Sequence, residues 1–114
     1  MNMKEIVSLC KNYEFQRLYR RGSSVVRPTL VMYAAKGQKG QIRLGITAGK
    51  KIGGAVCRNR AKRRIRELFR ITQQEMKSGM DVCIVARGRV LDAPYEKLVK
   101  DFRGAARELG MLET

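Results

Sequence analysis

Between Lys50 and Arg70 the chain carries nine basic side chains and one acidic one, Glu67. The same stretch has an apolar face. Ala61, Ile65, Leu68, Phe69, Thr72 and Met76 recur at helical spacing, while Asn59, Arg63, Arg66 and Arg70 line the opposite side. The pattern predicts one long helix from about Ala55 to Met76, with Arg60, Lys62 and Arg64 on its flanks. Like charges at this spacing repel, and Glu67 alone relieves them. Such a helix needs an apolar partner on one side and a polyanion on the other.

The rest of the chain sharpens that division. Residues 1–49 hold nine basic and two acidic side chains, net +7; residues 50–70 are net +8; residues 71–114 hold seven of each. Together they make the net charge of +15 on 114 residues, which repels itself and suits a polyanion as partner. With 44% apolar residues in periodic runs, the chain is not a disordered tail. It has no apolar run of about 20 residues to cross a bilayer. Its length suits a single domain over residues 1–114.

There is no His, so the commonest general base and metal ligand are missing. Cys10, Cys57 and Cys83 are far apart and odd in number, which reads as reduced thiols in a cytoplasmic protein. Lys4 and Glu5 interrupt any signal-peptide core at the N-terminus.

Residues 11–21 predict a helix with Phe15, Leu18 and Tyr19 on one face and Gly22 as its stop. Ser23 to Val26 reads as a short strand, interrupted by Arg27-Pro28. Thr29 to Lys36 and Gln41 to Ala48 read as strands joined by a glycine-containing turn, which predicts a hairpin. Gly49, Gly53 and Gly54 mark a loop carrying Lys50 and Lys51. After the basic helix, Asp81 to Arg87 reads as a strand buried on both faces. Asp92 is positioned to cap a last helix, with Pro94 in its first turn and Tyr95, Leu98, Val99, Phe102, Ala106 and Leu109 on one side. The result is an α+β sandwich in the order α-β-β-(β)-α-β-α. The helix between two strands implies a crossover, for which a right-handed sense is the general default.

The loop and helix start from Lys50 can bring backbone N–H groups and a positive dipole end close to phosphate, and the arginines extend the site with bidentate donors. Asn59 is the neutral polar group on the outward face. Lys50 through Arg66 closely resembles the signature of the bacterial ribonuclease P protein component. That pattern is Lys-Lys-x-Gly-x-Ala-Val-x-Arg-Asn-Arg-x-Lys-Arg-x-x-Arg, and every fixed position is matched. The resemblance continues through Glu14-Phe15-Gln16, Tyr19 and Gly22, through Val31-Met32-Tyr33 and Arg43-Leu44-Gly45-Ile46, and through Asp81 to Arg87, so it covers nearly the whole chain.

The resemblance implies a fold of order α-β-β-β-α-β-α, a four-stranded sheet with helices and a left-handed β-α-β crossover. It implies a protein partner of a catalytic RNA. That RNA, holding most of the Mg²⁺, removes the 5′ leader of precursor tRNA, so the protein contains no catalytic residue and binds no metal by itself. It also implies that Lys51, Arg58, Asn59, Arg60, Lys62, Arg63, Arg66 and Arg70 dock the catalytic RNA. Phe15, Tyr19 and Tyr33 would line a cleft for the single-stranded leader, with Lys50, Arg87 and Arg89 near its phosphates. At Gly88-Arg89 the chain departs from the family pattern. Spacing alone favours Phe15, Leu18 and Tyr19 as core; the resemblance moves Phe15 and Tyr33 to the cleft and leaves Leu18 inside.

Three other readings compete. A ribosomal or structural RNA-binding protein fits the size and charge but not the Lys50 to Arg66 match. A nuclease acting alone needs a metal cage or an acid–base pair, and the first 70 residues offer only Glu5, Glu14 and Glu67 as carboxylates. A membrane-surface helix would need the apolar face that the neighbouring strands already claim.

Overall fold

The computed structural model describes residues 5–9 and 11–113; Cys10 lies outside them. Five strands form one sheet: β1 (Glu5–Ser8), β2 (Ser23–Val26), β3 (Leu30–Lys36), β4 (Gln41–Ala48) and β5 (Met80–Ala86). Three α-helices accompany them: α1 (Asn12–Arg21), α2 (Ala55–Thr72) and α3 (Tyr95–Glu108). Short 3-10 turns follow β4, α2 and β5. The strand order is β1-β4-β5-β3-β2, with β4 parallel to both β1 and β5 and the other pairs antiparallel. Helix α2 connects the parallel neighbours β4 and β5, so the expected crossover is present.

The expected four-stranded sheet gains a fifth strand, β1, on the β4 edge. The expected hairpin between the third and fourth strands does not form. Strand β5 inserts between β3 and β4, with Val82, Cys83, Ile84 and Ala86 buried. A run that is apolar on both faces needs a strand on each side and a layer above and below. Gly79, at the start of β5, accepts the Gly37 N–H at 2.8 Å and donates to the Gln41 carbonyl at 2.7 Å, so the 37–40 turn arches over it. Alternation predicts a strand; it does not say which strand lies beside it.

Two other boundaries differ from expectation. Asp92 does not cap the last helix: it ends the 3-10 turn Gly88–Leu91, and Pro94 stands at the N-cap of α3. Proline is suited there because the missing N–H costs no helical hydrogen bond. Helix α2 stops at Thr72 and tightens into a 3-10 turn before Met76.

The sheet separates two apolar layers. On one face, α2 and α3 bury Ala61, Ile65, Leu68 and Phe69 with Leu98, Phe102 and Ala105 against Leu30, Met32, Ile42, Val82 and Ile84. On the other face, among the described residues, α1 and the segment before it bury Leu9, Leu18 and Cys83 with Phe15, Tyr33, Ala35 and Val85 packed alongside.

Helix α3 is tied to the turn between β2 and β3. The buried Asp101 carboxylate accepts the Thr29 hydroxyl at 2.7 Å and its N–H at 3.2 Å, and pairs with Lys97 at 3.1 Å. Burial opposes the charge, but the Thr29 and Lys97 donors outweigh it and hold the carboxyl below its usual pKa. A depressed folded-state pKa stabilises the fold above the unfolded value and loses that contribution as pH falls through the folded one. Asp101→Asn should therefore cost about 1–3 kcal/mol at neutral pH. The cost should shrink as pH falls below the ordinary Asp value of about 3.9, because the unfolded chain then takes up a proton that the native carboxyl still resists. Urea unfolding of both proteins across that range checks it.

Candidate nucleic-acid interface

Strand β4 leads directly into the basic surface. Lys50 and Lys51 lie in a 3-10 turn that ends at Gly53, whose φ of 135° is open to glycine and strained for other residues. Gly54 caps α2 with no side-chain hydrogen bond, and the first helical N–H to bond back is that of Arg58, to Gly54 at 3.0 Å. The preceding amides, from Ala55 to Cys57, thus form a positive helix end. Asn59, Arg60, Arg63, Arg66 and Arg70 are exposed along α2; Arg58 and Lys62 are half-buried on one flank. Val56, on the first turn, is 83% exposed.

Not every arginine here is free for an outside partner. Arg70 pairs with Glu67 at 2.5 Å, and that guanidinium holds the Glu67 carboxyl below its usual range. Arg64 turns inward and donates to the carbonyls of Val90 at 2.7 Å, Leu91 at 3.2 Å and Ala93 at 3.1 Å. It fastens α2 to the turn after β5. Arg66 and Arg70 rim a groove floored by Leu44, Ile46 and Phe69 beside β1.

The second candidate surface is on the opposite face of the sheet. Strand register sets its side chains in rows across the sheet. One row is Arg43–Asp81–Ala35, the next Gly45–Cys83–Tyr33–Ser24, the third Thr47–Val85–Val31–Val26. Helix α1 sits over the first two. A Cβ at Gly45 would collide with the Phe15 ring and press on Leu9, so glycine is what lets Phe15 lie flat on β4. Leu18 is buried beside Cys83. The Tyr19 ring meets Tyr33 edge-on with centroids 4.9 Å apart, and the Tyr19 hydroxyl lies 3.7 Å from Cys83 Sγ. Burial pushes the Tyr19 phenol up to about 12 and the Cys83 thiol up to about 11, so both stay neutral at physiological pH.

Arg43 locks this arrangement. Its guanidinium donates to both Asp81 oxygens at 2.9 and 2.8 Å and reaches Glu14 on α1. The two carboxylates raise its pKa still further, with Asp81 the larger cause. Sequence reading missed this triplet, because Glu14, Arg43 and Asp81 are isolated in the chain: the β4–β5 register pairs Arg43 with Asp81, and the seating of α1 brings in Glu14.

Among the described residues, α1 reaches the third row only at its β4 end, where the Tyr19 hydroxyl meets Thr47. Val31 and Val85 are half-buried, and Val26 at the edge is 60% exposed. The result is an apolar trough with Phe15, Tyr19 and Tyr33 along one side. Because β4 and β5 are parallel, Lys50 and Lys51 emerge from the same end of the sheet as Arg87 and Arg89. Arg87 is exposed and donates to the Arg27 carbonyl at 3.2 Å. Arg89 instead lines a hollow with Pro28, Asp92 and Lys97, away from the three rings.

Among the described residues no three His, Cys, Asp or Glu side chains gather as a metal cage. None of the described helices is long and apolar enough to cross a membrane. The fold and its surfaces define a small α+β protein with a basic helix on one side of a sheet and an aromatic-walled trough on the other.

Comparison with known proteins gives the family. The family model described as Ribonuclease P matches residues 3–110. The chain is 39% identical over 100 residues to the ribonuclease P protein component of Thermoanaerobacter sp. (strain X514), covering 88% of this chain and 86% of that one. It is 36% identical over 112 residues to that of Symbiobacterium thermophilum, covering 97% of each. A Staphylococcus aureus RNase P protein mutant, described as defective in mRNA degradation activity, superposes with a TM-score of 0.82 at 30% identity, covering 92% of this chain and 89% of that one. The Thermotoga maritima RNase P protein shares the fold, with a TM-score of 0.76 at 24% identity over 85% of this chain and 92% of that one. The chain belongs to the ribonuclease P protein component family, whose role is in tRNA 5′ processing.

Proposed function

We propose that this protein docks on the catalytic RNA of ribonuclease P through α2 and holds the single-stranded 5′ leader of precursor tRNA in the trough beside α1. The observation that carries the reading is the pairing of two unlike surfaces on opposite faces of one sheet: a cationic helix and a neutral, aromatic-walled trough. A folded RNA offers a dense phosphate surface, which suits the exposed arginines of α2. An unpaired leader offers base faces, which suit Phe15, Tyr19 and Tyr33 with little sequence preference. Lys50 and Arg87 at the end of the trough would neutralise leader phosphates, while Lys51, Arg58, Asn59, Arg60, Lys62, Arg63, Arg66 and Arg70 face the RNA. Arg89 is placed for phosphate only at the far side of the turn after β5.

The chemistry then belongs to the RNA. The protein positions the leader and lowers charge repulsion between the two RNAs, and Mg²⁺ is held mainly by RNA phosphates. The work takes place in the cytoplasm, where tRNA precursors are processed.

Two variants test the two surfaces separately. Arg60→Ala/Arg63→Ala should weaken assembly with the catalytic RNA and flatten its log–log salt dependence by about 0.7–0.9 per lost phosphate contact. Unchanged affinity and slope in a filter-binding titration would remove α2 from the docking surface. Phe15→Ala should lower holoenzyme affinity for leader-bearing precursor by about 1–3 kcal/mol, the range of one base–aromatic stack, and leave mature tRNA binding unchanged. If Phe15 serves only as core, stability falls by about 3–5 kcal/mol and both tRNAs are lost together.

A further inference from the structure

The C-terminal third of the chain is electrically neutral overall, yet the fold sorts its charges. Arg27, Lys97, Lys100, Arg103 and Arg107 line a single groove between α3 and the β2–β3 turn, and the only acidic residue lining it is Asp101. Asp101 is buried and already bonded to Thr29 and Lys97. Arg103 is held by Glu75 at 2.5 Å, and Arg27 by Glu108 at 2.7 Å. Lys100 and Arg107 have no ion pair among the described residues, and both are exposed. They stand seven residues apart on α3, on one face of the helix. The Arg27 guanidinium crosses Gly104, where a Cβ would stand 3.5 Å from Nε and Nη2, an ordinary contact.

This groove is continuous with the trough on the other face. The row Thr47–Val85–Val31–Val26 runs across four strands, about 14 Å, and ends at the sheet edge on β2. The next residue after Val26 is Arg27, whose carbonyl accepts the Arg87 guanidinium and whose side chain lies in the groove. The path therefore leaves the trough at Val26, rounds the edge of the sheet at Arg27 and enters the α3 groove. Its character changes on the way, from apolar and aromatic to cationic without aromatics.

We infer that the α3 groove is a second, backbone-reading segment of the leader site, which takes the phosphodiester backbone of leader nucleotides farther from the tRNA than those stacked in the trough. A polyanionic strand is the occupant that matches the charge. A lack of rings on the groove wall means that it reads phosphate rather than bases. Lys100 and Arg107 are the two side chains free to make new contacts. The inference rests on the leader reading proposed above and extends it in length.

The test uses holoenzyme reconstituted from catalytic RNA with either wild-type protein or Lys100→Ala/Arg107→Ala. Substrates are precursor tRNAs with no leader, a leader of about 4 nucleotides and one of about 16, the range spanned by one single-strand-binding fold. Wild-type holoenzyme should bind the long leader several-fold more tightly than the short one. The double variant should lose that increment, with a log–log salt slope for the long leader shallower by about 1.4, two single-strand phosphate contacts. Its short-leader binding, catalytic-RNA assembly and thermal melt should match wild type. A variant that keeps the wild-type affinity and slope for the long leader overturns the inference. So does a variant that loses short- and long-leader binding equally, or loses assembly, since the groove would then serve the catalytic RNA or the tRNA body. Wild-type preference for the short leader over none, with no gain for the long one, contradicts this segment alone. Wild-type indifference to any leader removes the trough as well.

Discussion

Where α1 rests on the sheet decides what the rest of the molecule can do. The helix has one fully buried side chain, Leu18, so apolar burial alone holds it weakly. Two further contacts set its position. Phe15 lies against the bare backbone of Gly45, and Arg43 on β4 ties Glu14 on α1 to Asp81 on β5. Charge-assisted hydrogen bonds of this kind are stronger than neutral ones, and the bidentate Arg43–Asp81 pair fixes direction as well as distance. Together they seat α1 over two rows of the sheet and leave most of the third open. An α1 shifted by one row would close the trough and bury the edge of Tyr33.

Cations in this protein fall into two populations. Arg43, Arg64, Arg27 and Arg103 are committed inside the fold, to carboxylates or to backbone carbonyls, and join elements that are distant in the chain. Arg60, Arg63, Arg66, Lys50 and Lys51 face solvent, with no ion pair among the described residues. The first population takes up Glu14, Glu75, Asp81 and Glu108. The second is presented outward without such partners among the described residues, on α2 and at the end of the parallel strands, where a polyanion can reach it.

Much of this was legible in the chain. The period of Ala61, Ile65, Leu68, Phe69 and Thr72 gave the buried face of α2, and the Lys50 to Arg66 run pointed to its polyanion partner and its family. The positions of β2 to β5 followed from short apolar, β-compatible runs, while β1 went unread. Strand neighbours did not follow: β5 displaced the expected hairpin because a doubly buried strand belongs in the middle of a sheet. The trough was visible only as three aromatic residues, since its floor is a row of unremarkable valines that register alone assembles. The α3 groove was hidden by arithmetic. A segment with equal numbers of acids and bases reads as neutral until Glu75, Asp101 and Glu108 are found already paired with Arg103, Lys97 and Arg27.

The central claim is that the leader lies over the Thr47–Val85–Val31–Val26 row beside α1. Photo-crosslinking of a precursor tRNA carrying 4-thiouridine in its leader, followed by peptide mapping of the holoenzyme, tests it most directly. The account predicts crosslinks in the peptides bearing Phe15 or Tyr19, Val31 or Tyr33, and Val85. Crosslinks confined to α2, with none to α1 or the open face of the sheet, would contradict it.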